Sequence, residues 1–103
     1  MSVQLLSSYQ ILSVLQNNAE DLKIRFGVEK IGLFGSYARD DQSENSDIDI
    51  LVQFSEASFD HYMDLKFYLE KLYNHPVDLV LFDSIKPRMK PYIMDEVRFA
   101  QGL

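Results

Sequence analysis

The chain contains no cysteine and no tryptophan, and its 103 residues include only four glycines and three prolines. Because there is no cysteine, the sequence excludes a disulfide framework, a thiolate metal site and a cysteine nucleophile. Any bound metal ion must therefore be held by oxygen or imidazole ligands. The two histidines, His61 and His75, lack a second imidazole at ligand spacing, so both are predicted to be structural or solvated rather than part of a zinc site.

Positive charge is also scarce, with 10 lysine and arginine residues against 16 aspartate and glutamate residues and a formal net charge of −6. This balance disfavours binding to DNA or RNA polymers, because such binding depends on cations that displace counterions from phosphates. No run approaches the roughly 18 apolar residues that suggest a membrane span. The first residues have neither the basic segment nor the small-residue cleavage site of a signal peptide, so a cytoplasmic location is expected.

The length of 103 residues predicts a single domain, with an N-terminal helix in residues 1–27 and the core of the fold in residues 28–103. The N-terminal part has apolar residues at three- and four-residue spacing, which predicts an amphipathic helix from about Ser8 to Arg25, ending at Gly27. The residues of this stripe are Leu12, Leu15, Ala19, Leu22 and Phe26.

The remaining hydrophobic patterns predict alternating strands and helices. In order, these are a strand from Lys30 to Gly35, a short helix from Ser36, a surface loop over Asp40 to Ser46, a strand over Asp47 to Phe54, a helix from an N-cap at Ser58 to about Tyr73, a strand over Val77 to Phe82, a linker bracketed by Pro87 and Pro91, and a last helix from Tyr92 to about Phe99. The inner face of the helix after Ser58 is predicted to hold Phe59, Met63, Leu69, Leu72 and Tyr73. This order predicts an α/β fold of the α+β type, with helices flanking a small mixed β-sheet.

Two carboxylates, Asp47 and Asp49, stand one residue apart at the head of an apolar strand. Side chains alternate along a strand, so these two carboxylates are predicted to project from the same face. Two close anions raise each other's pKa unless cations compensate, and Arg39 is the one nearby basic residue in the sequence. A hard divalent ion such as Mg²⁺, which prefers carboxylate and phosphate oxygens, is the simplest compensation.

A third carboxylate, Asp78, is the one charged residue of the strand over Val77 to Phe82. If that strand pairs beside the strand of Asp47 and Asp49, the three aspartates could hold a pair of Mg²⁺ ions for phosphoryl or nucleotidyl transfer. Taken singly, each aspartate has a simpler interpretation, as a solvated turn residue or as a charge that protects an edge strand from aggregation. The combination favours the metal site.

The dipeptide Gly35-Ser36 lies where the first strand is predicted to turn into a short helix. Glycine allows a close approach of the backbone to a ligand, and the amides at a helix start, with the Ser36 hydroxyl, favour phosphate oxygens. A tight turn with Ser36 as an ordinary N-cap is the alternative. Arg39, one helical turn further on, is placed to bind a phosphate, to hold a carboxylate, or to be solvated.

The whole pattern resembles the signature of the polymerase-beta-like nucleotidyltransferase superfamily: Gly35-Ser36, ten residues, then Asp47-Ile48-Asp49. With Tyr37-Ala38-Arg39 and the run from Ser46 to Val52, it resembles more closely the minimal nucleotidyltransferases, or MNT domains. The likeness extends to "VDLVLF", which holds Asp78, and to "KPYIMDEVRFA" near the end of the chain. Asp40 is a departure, because many members of the family have glycine after the arginine.

This resemblance implies a function and a set of site residues. MNT domains are antitoxins of HEPN–MNT toxin–antitoxin pairs, and members transfer AMP from ATP to a tyrosine of the HEPN ribonuclease. By similarity, Gly35, Ser36, Arg39 and Ser46 are expected to bind the nucleotide, while Asp47, Asp49 and Asp78 are expected to be catalytic and to bind two Mg²⁺ ions. The expected partner is a cognate HEPN toxin, with no membrane and no nucleic-acid polymer involved.

Two alternatives to this function stay open at the level of sequence. One is an antitoxin that neutralises its toxin by binding and occlusion, without catalysis. The other is a nucleotidyltransferase with a small-molecule acceptor, as in the aminoglycoside-modifying members of the superfamily. A chain of 103 residues has little left for a second pocket after folding around a nucleotide, so a protein acceptor is the preferred expectation.

Overall fold

A computed structural model of the protein describes residues 6–56 and 58–103. Within them the chain alternates helices and strands, largely as the hydrophobic patterns predict. The elements are α1 (Ser8–Asn17), α2 (Ala19–Phe26), β1 (Val28–Phe34), α3 (Ser36–Arg39), β2 (Ile48–Phe54), α4 (Phe59–Tyr73), β3 (Val77–Leu81), a 3₁₀ turn (Phe82–Ser84), α5 (Lys90–Glu96) and β4 (Arg98–Phe99). None of these helices has the length and apolar character needed to cross a membrane.

The strands form one sheet in the order β3-β2-β1-β4. β1 is antiparallel to both β2 and β4, whereas β2 and β3 are parallel. Helix α4 makes the crossover that a parallel pair of neighbouring strands requires. The predicted α+β architecture, a mixed sheet with flanking helices, is therefore confirmed.

One face of the sheet carries the hydrophobic core. Along β2 the inward residues Ile48, Ile50 and Val52 are fully buried, and Asp49 lies between them on the opposite face. Helices α1, α2 and α4 cover the core face. Its residues include Ile11, Leu15, Leu22, Ile31, Leu33, Ile48, Ile50, Val52, Leu65, Leu69 and Leu79. The opposite face of β2 carries Asp49 and then Leu51, which is 1% exposed, so this face is open to polar groups at its Asp49 end.

The prediction of one continuous N-terminal helix is wrong, because the structure has two helices, α1 and α2, that meet at Asn18. The Asn18 side-chain nitrogen donates to the Val14 carbonyl at 2.8 Å, and its oxygen accepts from the Tyr68 hydroxyl at 3.0 Å. An asparagine side chain that bonds nearby backbone competes with the continued helix. The division of the chain at residue 27 into a helix and a core stays a prediction, and residues 1–5 lie outside the described part.

The predicted inner face of α4 is also partly wrong. Phe59 and Leu72 are exposed, by 75% and 40%, and the buried residues of α4 are Leu65, Leu69 and Tyr73. These three recur every four residues and so share one side of the helix. The cluster of apolar residues in this helix is larger than one face can bury, which leaves aromatic side chains in solvent.

The C-terminal segment differs from the prediction in two ways. Helix α5 begins at Lys90, with Pro91 in its first turn rather than in a linker, a position at which proline costs no hydrogen bond. After Glu96 the chain forms β4, which pairs with Gly32 of β1. A Cβ at Gly32 would lie 2.9 Å from the Arg98 carbonyl oxygen, so this pairing depends on glycine. Two residues are too few to give a strand pattern in the sequence.

Asp40, the departure from the family pattern, ends α3 in the left-handed conformation with φ 56°. Glycine adopts this conformation without strain, whereas aspartate tolerates it at some cost. The Asp40 carboxylate accepts hydrogen bonds from the Ser8 amide at 2.8 Å and the Ser8 hydroxyl at 2.9 Å, and these bonds lower its pKa. The aspartate therefore ties the loop after α3 to the start of α1.

Candidate active site

Asp49 and Asp78 lie side by side because β2 and β3 are in register. The parallel pairing aligns Asp49 with Asp78, as it aligns Ile48 with Val77 and Ile50 with Leu79. The apolar partners are buried, so the two aspartates share the face of the sheet opposite the core. The sequence prediction that these two carboxylates meet depended on the pairing of the two strands, and the structure has that pairing.

Asp47 stands one residue before β2 and is exposed. Its position is fixed through the backbone, since the next amide, that of Ile48, donates to the Pro76 carbonyl at 3.0 Å. Among the described residues, no three acidic or histidine side chains converge into a metal site that is complete by itself. The structure therefore brings Asp49 and Asp78 together directly and leaves Asp47 at the rim of the pair.

The electrostatics of the pair are unfavourable without a cation. Burial, followed by the charges of Asp78 and Asp47, raises the pKa of the Asp49 carboxyl to about 6. The ion pairs found in residues 6–56 and 58–103 do not involve any of these three aspartates. A group of anions that share one polar face is expected to recruit positive charge from outside the chain.

These groups fit magnesium. Their donors are all carboxylate oxygens, the class of ligand that Mg²⁺ prefers, and they lack a compensating side-chain cation. Mg²⁺ usually takes one or two carboxylates and completes its octahedron with waters and substrate phosphates. An incomplete protein site is thus compatible with Mg²⁺, and the binding of metal by Asp49, Asp78 and Asp47 stays a prediction.

The turn after β1 brings the backbone of Gly35 against Asp49. Gly35 has φ 76° and ψ −157°, a conformation open to glycine alone. A Cβ built there would overlap the Asp49 Oδ2 atom and lie 3.0 Å from Asp49 Cγ. In this structure the group that the Gly35 backbone approaches is a carboxylate of the chain itself, and its approach to a nucleotide stays a prediction.

Sequence reasoning missed Glu96, at the end of α5. Its Oε1 atom accepts from the Gly35 amide at 2.8 Å, and its Oε2 atom accepts from the Arg39 guanidinium at 2.8 Å. Arg39 also donates to Asp41 at 3.0 Å. Of the roles foreseen for Arg39, holding a carboxylate is the one seen here. Nothing in the local sequence marks Glu96, because its partners lie 61 and 57 residues away.

The two predicted serines take different positions. Ser36 is the first residue of α3, and its carbonyl accepts from the Asp41 amide at 3.1 Å. The Ser46 hydroxyl accepts from the Ser43 amide at 3.0 Å, so it closes the loop before Asp47. Ser36 thus adjoins Gly35 as predicted, whereas Ser46 is engaged in holding its own loop. The nucleotide-binding role of both stays a prediction.

The raised pKa of Asp49 predicts a pH-dependent stability of the metal-free protein. A folded-state pKa of about 6, above the ordinary 3.8, means that the folded state binds more protons between these values. We therefore expect the free energy of unfolding to fall as pH rises from about 4 to about 6, by about 1–2 kcal/mol after allowance for solvent screening. Urea denaturation across this range, for wild type and Asp49→Asn, measures it. Identical pH profiles of the two proteins would contradict the assignment.

The family model described as "Nucleotidyltransferase domain" matches residues 15–100. The chain belongs to this family. The matched region contains the Gly35 turn, all three aspartates and Glu96. The carboxylate pair on β2 and β3 is therefore the candidate active site of a nucleotidyltransferase.

Relatives and solved structures agree with this family. The protein adenylyltransferase MntA of Thermococcus cleftensis is 42% identical over 94 residues, which cover 90% of this chain and 95% of that protein. A solved structure described as a candidate minimal nucleotidyltransferase has a TM-score of 0.76 and 29% identity, covering 93% of this chain and 98% of that one. A chain in a crystal structure of a toxin–antitoxin complex with AMP-PNP has a TM-score of 0.68 and 26% identity, with 85% and 73% covered.

Proposed function

We propose that this nucleotidyltransferase is a Mg²⁺-dependent antitoxin that transfers AMP from ATP to a tyrosine of a cognate HEPN toxin and so neutralises it. The observation that carries the proposal is the in-register pair of Asp49 and Asp78, with the Gly35 turn against it. The name of the 42% identical relative, a protein adenylyltransferase, supports a protein acceptor. A cytoplasmic location is part of this proposal, because ATP is available there.

The proposed transfer forms one bond and breaks one. The tyrosine oxygen attacks the α-phosphorus of ATP, the bond from that phosphorus to the oxygen bridging the β-phosphorus breaks, and pyrophosphate leaves. The tyrosine proton goes to the Asp78 carboxylate, which is exposed on the edge strand and so accessible to an incoming side chain. Gly35 and Ser36 are proposed to hold the triphosphate against this pair.

Asp47, Asp49 and Asp78 are proposed to hold the magnesium ions. When bound, Mg²⁺ supplies the positive charge that polarises the α-phosphate and stabilises the leaving pyrophosphate. The aspartates fix the position of that charge relative to the sheet, and Gly35 keeps the space beside Asp49 free of a side chain. The raised pKa of Asp49 implies that the metal-free site is partly protonated near pH 6.

A protein partner is supported by the apolar groups that the fold leaves in solvent. On α4, Phe59 and Phe67 are 75% and 59% exposed, and on α5 Tyr92 is 73% exposed. Exposed aromatic residues are enriched at protein interfaces. The structural likeness to a chain from a toxin–antitoxin complex supports a toxin as this partner.

Intact-mass spectrometry of the cognate HEPN toxin tests the proposal directly. After incubation with this protein, ATP and Mg²⁺, we expect the toxin mass to rise by whole AMP units and the modified residue to be a tyrosine. Omission of Mg²⁺, or its removal by a chelator, should abolish the increment. Modification of another residue type would contradict the assignment of tyrosine as the acceptor. An unchanged toxin mass would contradict the proposed transferase activity.

Neutralisation by occlusion is the second candidate, and one observation favours it. The Glu96 carboxylate occupies the Gly35 amide and the Arg39 guanidinium, two of the donors expected to bind a nucleotide. Because these two donors already bind a carboxylate of the chain itself, they are less available to the phosphates of ATP, and the affinity for ATP is reduced. An unchanged toxin mass together with a tight complex would establish this alternative, and a mass increment would exclude it.

A further inference from the structure

The imidazole of His75 lies where three elements of the candidate site meet. Its Nε2 atom is 2.6 Å from the Ser46 carbonyl oxygen and 3.3 Å from the Tyr37 hydroxyl. Ser46 precedes Asp47, Tyr37 belongs to α3 next to Ser36, and His75 itself is three residues before Asp78. One side chain thus contacts the loop before β2 and helix α3 from the turn that leads into β3.

The shorter contact defines the role of the ring. A carbonyl oxygen can only accept, so the Nε2 atom must carry hydrogen and donate to Ser46. The Tyr37 ring packs edge-on against the imidazole, with centroids 5.7 Å apart and an interplanar angle of 73°. The ring is therefore oriented both by its packing against Tyr37 and by its hydrogen bond to the Ser46 carbonyl.

The turn that carries His75 is anchored to α4. The His75 amide donates to the Glu70 carbonyl at 3.3 Å, and the Val77 amide donates to the Glu70 carboxylate at 3.0 Å. Asn74 ends the helix in the left-handed conformation with φ 50°. These contacts make the turn a fixed support rather than a loose connection.

The turn of His75 and Pro76 forms hydrogen bonds with the chain on both sides of Asp47. Before it, the Ser46 carbonyl accepts from His75; after it, the Ile48 amide donates to the Pro76 carbonyl at 3.0 Å. The hydrogen bonds of the described residues include none from the Asp47 carboxylate itself. The two flanking peptide groups therefore fix the backbone of Asp47 and the direction of its Cα–Cβ bond.

We propose that His75 is a positioning residue: its hydrogen bond to Ser46 orients the peptide of Asp47 so that this carboxylate completes the metal site beside Asp49. This inference rests on the proposed function, since it assigns Asp47 to the metal. His75 touches neither metal nor nucleotide in this proposal and acts through the backbone. Groups that orient metal ligands in this indirect way typically change metal affinity by about 10- to 100-fold when they are removed.

Hydrogen exchange of the metal-free protein tests the structural part. In His75→Ala we expect the amides of Ser46 and Ile48, which donate to the Ser43 and Pro76 carbonyls, to exchange about tenfold faster or more, because local opening of the segment becomes easier. The amides of β1 should keep their wild-type protection. His61→Ala is a matched control, since His61 also contacts a backbone carbonyl, that of Glu56, at 3.3 Å. It should leave the exchange of the Ser46 and Ile48 amides unchanged.

Binding of Mn²⁺ with AMP-PNP, measured by electron paramagnetic resonance, tests the functional part without turnover. Mn²⁺ is used because it takes the same oxygen ligands as Mg²⁺ and is spectroscopically visible. We expect His75→Ala to weaken Mn²⁺ binding about 10- to 100-fold. His75→Gln keeps a side-chain donor and should recover part of the affinity. Tyr37→Phe removes the hydroxyl that lies 3.3 Å from the same Nε2 atom but leaves the bond to Ser46 in place, so it should bind Mn²⁺ as wild type does.

The outcomes separate this inference from the proposed function. Weaker Mn²⁺ binding in His75→Ala, with partial recovery in His75→Gln, supports the positioning role of His75. If His75→Ala does not fold, the role is supported by weaker Mn²⁺ binding in His75→Gln together with faster exchange of its Ile48 amide. Wild-type affinity in a folded His75 variant overturns the inference and leaves the proposed function standing. Absence of Mn²⁺ binding by wild type with AMP-PNP overturns both.

Discussion

Asp47→Asn and Asp49→Asn are each expected to lower the rate of the proposed AMP transfer by about 10²- to 10⁴-fold, which corresponds to about 3–5 kcal/mol of transition-state stabilisation. The amide keeps the size of the side chain and removes the charge that is proposed to bind Mg²⁺. The rate is measured as the appearance of AMP on the toxin by intact-mass spectrometry at saturating ATP. The effect at Asp49 is expected to be at least as large as at Asp47, because Asp49 lies inside the pair with Asp78 and Asp47 lies at its rim.

The control for these variants is Asp95→Asn, which removes the same charge from an exposed position on α5. It should transfer AMP at the wild-type rate. Retention of more than a tenth of the activity in Asp47→Asn or Asp49→Asn would break the assignment of that residue. Raised Mg²⁺ should rescue the variants only in part, because each keeps the remaining ligands.

Gly35→Ala is expected to abolish AMP transfer and to lower the free energy of unfolding by about 2–4 kcal/mol. The substitution forces alanine into a conformation with φ 76° and ψ −157°, and its Cβ would overlap the Asp49 carboxylate. Either the turn or Asp49 must shift, and both belong to the candidate site. Urea denaturation gives the stability, and the toxin assay gives the activity at temperatures where the variant is folded.

Gly27→Ala separates backbone strain from damage to the site. Gly27 also has a positive φ, 67°, but its added Cβ would meet only the Ser55 hydroxyl at 3.3 Å. We expect a loss of about 1 kcal/mol with normal activity. A Gly35→Ala variant with the stability and activity of Gly27→Ala would show that the contact with Asp49 has no functional consequence.

The sequence predicts much of the fold because periodicity reports which side of each element is buried. The strand of Ile48, Ile50 and Val52 alternates with Asp49, so its core face and its polar face are both readable. The meeting of Asp49 and Asp78 follows once β2 and β3 pair in parallel. That pairing is a matter of topology, which helix α4 between the two strands favours.

The parts that escape prediction depend on contacts between distant segments. Glu96 acquires its position from Gly35 and Arg39, and β4 is too short to have a pattern of its own. The break at Asn18 depends on a side-chain bond to the preceding turn and on the Tyr68 hydroxyl. His75 is a related case: its interpretation as structural or solvated misses the bond to Ser46, which only the fold creates.

The backbone ladder between β2 and β3 has a consequence for how such a domain can change. The spacing of Asp49 and Asp78 is set by neighbouring strands about 4.8 Å apart, not by the segments that join them. The exposed side of α4, with Phe59 and Phe67, lies between these strands in the chain but takes no part in their register. Mutation can therefore change the exposed surface of α4, the proposed partner surface, while Asp49 and Asp78 keep their spacing, so that a change of partner need not disturb the proposed chemistry.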